Sequence, residues 1–161
     1  MGNYRLPLML SRKSRYAIDA LAFMAENGAT FVQVPHIAAE RRIPRKFLEN
    51  IMSALKKGGI LGSKQGRGGG FYFARRPAEI SIFQVITVLE GPLSMLPCLA
   101  GTVTCQPCES KETCATRAIF ADACRSVSVV LNKYTINDII SGNTGATRIA
   151  GFPVGGNVAV K

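Results

Sequence analysis

Acidic side chains are scarce in this 161-residue chain. Ten Asp or Glu stand against twenty Lys or Arg, for a net charge of +10. The deficit is steepest up to position 90, where 6 acidic residues face 14 basic ones, against 4 and 6 in the remainder. A polyanion would therefore meet the N-terminal half. Nucleic acid fits better than an anionic membrane surface, which would go with a basic amphipathic helix that is not evident here. No apolar run approaches the ~20 residues of a membrane span, and Met1–Leu10 lacks the apolar core of a secretory signal, so a cytoplasmic protein without a membrane partner is expected. Histidine occurs once, at His36, far in sequence from any thiol. Its place in the first turn of a short helix suits capping or solvent exposure better than metal ligation. Apolar residues make up 47% of the chain, enough for one compact domain with an appended element.

Cysteine is concentrated. Four of the five lie in one stretch, Cys98, Cys105, Cys108 and Cys114. In a reducing compartment such clustered thiols bind metal or do redox chemistry more often than they form structural disulfides. The fifth, Cys124, shares helical spacing with Phe120, Val127 and Leu131, where it is expected as a small buried hydrophobe.

The periodicity predicts helices over residues 12–27, ended by Gly28; over Val34–Glu40, with Pro35 in its first turn; and over about 45–57, with Lys56 and Lys57 at its negative end and Gly58-Gly59 as its cap. Pro44 breaks the chain between the last two. Strand-like Ile60–Ser63 and Phe71–Ala74 flank a glycine-rich turn, Lys64–Gly70. Ser81-Ile82-Phe83-Gln84 has the form of a capping box opening a helix to about Glu90. A long helix is expected from about Glu112 to Tyr134, with Ile119, Ala123, Val127, Val130 and Tyr134 on a stripe that is either core or dimer interface. The fold class is mostly α with a small β-wing, a winged helix-turn-helix plus a long C-terminal helix. The expected division is 9–80 for DNA binding, 81–140 for the cysteine loop and that long helix, and 141–161 as a disordered tail.

A recognition helix needs polar and basic side chains where it enters the major groove. Arg45, Lys46, Glu49 and Asn50 supply them: Arg or Lys can reach guanine O6 and N7, Asn can pair with adenine, and Glu can accept from cytosine N4. The wing residues Lys64, Gln65 and Arg67, set among Gly66, Gly68, Gly69 and Gly70, offer cations and close approach to phosphate or the minor groove. A phosphate-cradle reading of that turn lacks the Gly-Lys-Ser/Thr ending and the following helix. A small redox enzyme is disfavoured by the absence of a nucleotide-binding motif and of a βαβ context for Cys105-x-x-Cys108. No enzymatic activity and no small-molecule substrate are expected.

The stretches Leu10–Ala17, Ile37–Glu40, Ile43–Glu49, Leu55–Leu61 and Gly66–Phe71, continuing into Ile80–Gly91 and the cysteine loop, resemble the winged-helix regulators typified by the iron–sulfur cluster regulator IscR and the nitric-oxide sensor NsrR. The resemblance spans roughly residues 9–140 and suggests Met9 as the natural start, leaving Met1–Leu8 as an extension. It implies a homodimeric repressor or activator of promoter DNA, its long helices crossing in the dimer, with half-sites about one turn (~34–36 Å) apart. It also implies a [2Fe–2S] cluster held by three cysteines and a non-cysteine fourth ligand. Here the two usual positions of that ligand are Arg15 and Arg117, and a guanidinium does not ligate. Cys105, additional to the three-cysteine pattern, is then the natural fourth ligand beside Cys98, Cys108 and Cys114, the alternative being those three with another group. On ligand count alone the same four thiolates suit tetrahedral zinc, and Cys105 with Cys108 suits a disulfide switch.

Overall fold

The computed structural model describes residues 10–101 and 113–143. Helix α1 (Arg12–Asn27) starts where the Ser11 hydroxyl accepts from the Ser14 amide at 3.1 Å, satisfying one of the donors a helix start leaves open. Its inner face presents Ala17, Ala20, Leu21 and Met24, all buried. The two alanines let α1 lie close to its neighbours, and it packs against α2 (Val34–Glu40), α3 (Arg45–Lys57), α4 (Ile82–Glu90) and α6 (Ile136–Ser141). Between α2 and α3 the chain turns through Arg41–Pro44, with Arg42 in the left-handed region at φ 51° and Ile43 buried beneath it.

Leu48, Ile51, Met52 and Leu55 on α3 share one apolar cluster with Ile37 of α2 and with Ile60 and Leu61 beyond it. The end of α3 is closed by two crossed bonds, Gly59 amide to Lys56 carbonyl and Ile60 amide to Leu55 carbonyl, each 3.0 Å. This satisfies the last carbonyls and drops Ile60 onto Leu55. Strands β1 (Leu61–Lys64) and β2 (Gly70–Phe73) pair antiparallel with Leu61 opposite Phe73 and Lys64 opposite Gly70, each displaced by about one residue from its expected span. A third segment joins them that no strand pattern announces: Val32 and Phe71 exchange two backbone hydrogen bonds of 2.9 Å, so the residues before α2 close the free edge of β2.

The capping box at Ser81 and Gln84 forms as expected. Helix α5 (Ala115–Lys133) is shorter than the expected span of about 112–134. Glu112 lies outside the described residues, and Thr113 and Cys114 precede the helix. At the other end Tyr134 leaves the helix because its carbonyl accepts from the Ile82 amide at 2.9 Å, followed by the Ile136 amide to the Ile80 carbonyl at 3.0 Å. A further helix, α6, follows, opened by a second capping box between Thr135 and Asp138. Ser141, placed in the tail by the sequence, is its last residue, and residues 144–161 lie outside the described part. The expected stripe on α5 does not enter the core of this chain. Ile119 is 67% and Val130 49% exposed, and Cys124 is the one buried residue of the helix.

Ile136 is fully buried in the cluster that holds α1 and α3. Ile136→Ala should therefore cost about 2–4 kcal/mol in urea unfolding, the range for truncating a core aliphatic residue, where an isolated surface helix would lose under ~0.5 kcal/mol. The Asp138 carboxyl is held below its ordinary range by hydrogen bonds from the Thr135 side chain and backbone. A depressed folded pKa stabilises above the unfolded value, about 3.9, and the contribution fades as pH falls through the folded value. Asp138→Asn should remove that small acid-side dependence of the urea midpoint.

Candidate nucleic-acid interface and cysteine segment

With Leu48, Ile51, Met52 and Leu55 turned inward, the opposite face of α3 carries Arg45, Lys46, Glu49 and Asn50, all exposed. The structure adds a relation among them: Arg45 Nε donates to Glu49 Oε1 at 2.9 Å, one helical turn apart. Two of the four expected base readers are thus partners of each other in the free protein. At 67% and 47% side-chain exposure such a pair is worth only about 0.3–0.5 kcal/mol, so a base edge or phosphate can open it at small cost. Phe47 projects from the same helix and meets Tyr16 of α1 edge-on, ring centroids 5.9 Å apart, which fixes the first turn of α3 against α1.

The preceding turn is anchored through Arg41, whose guanidinium lies 3.5 Å from Asp19, pairs with Glu26, and sits 5.1 Å over the Phe23 ring. Arg41 is consequently committed to α1, whereas Arg42 and the cations of the first turn of α3 are exposed. His36 is exposed and lies edge-on to Phe23 at 5.3 Å, the solvent-facing place expected of it.

The wing leaves directly from the capped end of α3. Gln65 and Arg67 at its tip, and Lys64 at the end of β1, are exposed. The tip is tight: Gly66 and Gly68 take φ of 99° and 82°, the left-handed region open to glycine. A Cβ on Gly69 would stand 2.2 Å from the Lys64 carbonyl oxygen. Lys64 Nζ lies 5.3 Å over the Phe31 ring, a contact between residues far apart in sequence that no local pattern announces.

The cysteine segment begins at the end of α4. Glu90 receives hydrogen bonds from the Ser11 hydroxyl and, at 2.9 Å, from the Ser14 hydroxyl, while Lys13 Nζ donates to the Leu89 carbonyl at 2.7 Å. A carboxylate meets the positive end of α1 and an ammonium meets the negative end of α4, both favourable to the helix dipoles. Beyond Gly91, a turn closed by the Leu99 amide on the Leu96 carbonyl at 3.0 Å carries Cys98. Cys114 is the residue immediately before α5, at its N-cap position. Both are half-buried free thiols. Cys105 and Cys108 lie outside the described residues, and among the described residues no three His, Cys, Asp or Glu gather as a metal site. Arg15 is exposed on the first turn of α1, and Arg117 is half-buried on the first turn of α5. No helix of the described part is long and apolar enough to cross a membrane.

A helix pair joined by a tight turn, a basic two-stranded wing at its end, and a polar exposed face on the second helix define a winged helix-turn-helix regulator. The chain belongs to the Rrf2 family: the family model described as an iron-dependent transcriptional regulator matches residues 10–142. It is 29% identical over 147 residues to the rrf2-like HTH-type transcriptional regulator of Rhodobacter capsulatus, covering 88% of this chain and 98% of that one. It is 26% identical over 135 residues to IscR of Klebsiella pneumoniae, covering 83% and 80%. Among solved structures it is similar to CymR, the global cysteine regulator of B. subtilis, with a TM-score of 0.66, 28% identity, and coverage of 84% of this chain and 98% of that one. T. potens IscR matches with a TM-score of 0.66, 25% identity, and coverage of 90% and 95%. These relatives are transcriptional regulators and not enzymes, and the chain is a regulator of their IscR-like and CymR-like kind.

Because the Gly69 position has no room for a side chain, Gly69→Ala should deform the wing tip while leaving the helical core intact. The expected outcome is a loss of DNA affinity of about tenfold, equivalent to ~1.4 kcal/mol, with an unchanged far-ultraviolet circular dichroism spectrum.

Proposed function

We propose that the chain is a homodimeric regulator of promoter DNA whose affinity is set by a [2Fe–2S] cluster on Cys98, Cys105, Cys108 and Cys114. The observation that carries this reading is that Cys98 and Cys114 both lie, half-buried, in the segment joining α4 to α5, Cys98 eight residues beyond Glu90 and its contact with α1 and Cys114 immediately before α5. The donor set fits such a group, since four thiolates meet its usual ligand count and the arginines at positions 15 and 117 offer no competing ligand. When bound, the cluster would supply a centre responsive to oxidation, nitric oxide or iron–sulfur status.

The chain's own residues do the rest. Arg45, Lys46, Glu49 and Asn50 read the major groove, with the Arg45–Glu49 pair opening on contact. Lys64, Gln65 and Arg67 engage phosphate or the minor groove. The exposed apolar stripe of α5, with Ile119 and Val130, is the surface on which two copies cross. A displacement of the segment after Gly91 reaches α1 through Glu90 and its bonds to Ser11 and Ser14. Such a shift is only as large as the ligand's differential affinity for the two dimer geometries.

A second reading is favoured by the likeness to CymR, a cysteine regulator by name: the same fold switched by zinc on the four thiolates, or by a Cys105–Cys108 disulfide.

Anaerobic purification followed by iron, sulfide and zinc analysis separates these readings. Iron and sulfide in equal amounts are expected, whereas colourless protein that holds zinc and takes up no cluster on reconstitution rules the first one out. Cys105→Ala should destabilise the bound cluster, and unchanged occupancy would remove Cys105 from the ligand set. Lys46→Ala and Arg67→Ala should weaken binding to promoter duplex without altering metal content, and each lost phosphate contact should make the log–log salt slope shallower by about 0.9.

A further inference from the structure

Lys64 stands out among the expected DNA-contacting cations in having a built support. On the hairpin, residues 62 and 64 point to one face, as do their partners 72 and 70. Small residues occupy one diagonal of that face. Gly62 lies under the Tyr72 ring, where a Cβ would come within 2.3 Å of Tyr72 Cζ, and Gly70 lies opposite Lys64. The other diagonal, Tyr72 and Lys64, is bridged by a residue from outside the hairpin. Phe31 meets the Tyr72 ring edge-on at 5.6 Å, 86° between planes, and carries Lys64 Nζ 5.3 Å above its own ring.

Phe31 is held in this place by its neighbour. Val32 exchanges two backbone hydrogen bonds with Phe71, and a Cβ on Gly70 would meet the Val32 carbonyl oxygen at 2.7 Å. The segment between α1 and α2 is thereby locked to the wing at the residue next to the ring. A lysine side chain ordinarily samples many rotamers and loses that freedom on binding. A ring face beneath the ammonium restricts it beforehand and leaves N–H donors for a second partner.

We propose that Phe31, braced by Tyr72, is a positioning residue for DNA binding: its ring pre-orients the Lys64 ammonium toward phosphate. The proposal rests on the reading of Lys64 as a DNA contact. It gives the α1–α2 connection a part in operator affinity that its composition does not suggest.

The test uses the full-length protein and the duplex it selects from a random-sequence library. Phe31→Leu keeps an apolar side chain but removes the aromatic face, and should weaken binding about two- to fivefold, the range of an exposed cation–π contact. Phe31→Tyr should restore wild-type affinity. In a Lys64→Ala background Phe31→Leu should have no further effect, because the ring then has no cation to place. Wild-type affinity in Phe31→Leu, or an equal additional loss in the Lys64→Ala background, overturns the proposal, the latter by showing a merely structural role. The underlying reading fails separately if Lys64→Ala alters neither affinity nor salt slope, since a phosphate contact should shift the slope by about 0.9. Thermal melts of each variant identify any loss due to unfolding, and Phe31→Met takes the place of Phe31→Leu in the same cycle if the latter does not fold.

Discussion

The close burial of α1 is the constraint on which the other elements depend. Ala17 and Ala20 are completely inaccessible, and their small side chains set how near α1 lies to α2, α3, α4 and α6. Larger residues there would push helices apart, and a close-packed interior has no slack to absorb such a change. Since α1 packs against α3 and also against α4, the helix that leads into the cysteine segment, the two regions share one rigid member. The apolar cluster reflects this: it runs without interruption from Ala17 through Leu48 and Leu55 to Val85, Leu89 and Ile136.

That arrangement gives the Glu90 contact its significance. Ser14 is fully buried yet polar, and its hydroxyl is satisfied by Glu90. A buried hydroxyl left without a partner costs more than an ordinary hydrogen bond gains, so the end of α4 is held at the start of α1 by the penalty of separating them as well as by attraction. Lys13 on the Leu89 carbonyl adds a second tie. Gly91 and the cysteine segment begin immediately afterwards. The joint between the thiol-bearing chain and the helical unit therefore adds a directional polar contact to the apolar packing of the buried Leu89.

Much of this was legible in the sequence because the signals are local. Ser11 and Gly28 bracket α1, Pro44 separates α2 from α3, and Ser81 with Gln84 opens α4; each acts within a few residues of itself. Helix α6 carries an equally local mark, Thr135 with Asp138, but it follows the expected helix end at Tyr134 so closely that the sequence pattern leaves it unassigned. The break comes from Tyr134 and Ile136 pairing with Ile82 and Ile80, a contact over some fifty positions that no window spans. The same limit hides Val32 against Phe71, Phe31 under Lys64, and Glu90 against Ser14. For Arg45 and Glu49 the spacing was plain, yet two residues suited to bases were also suited to each other.

The demands placed on the two halves are met by different chemistry. Positive charge gathers in residues 1–90, at 14 basic against 6 acidic residues, where it lengthens the reach of attraction toward a polyanion and fades with salt. The described part of the remaining chain is nearly balanced in charge but exposes Ile119, Phe120 and Val130 on α5, an apolar face suited to protein rather than nucleic acid. With Arg41 held by Asp19 and Glu26 of α1, the exposed cations that remain near the turn are Arg42, Lys46 and Arg45, the last in a solvent-exposed pair with Glu49.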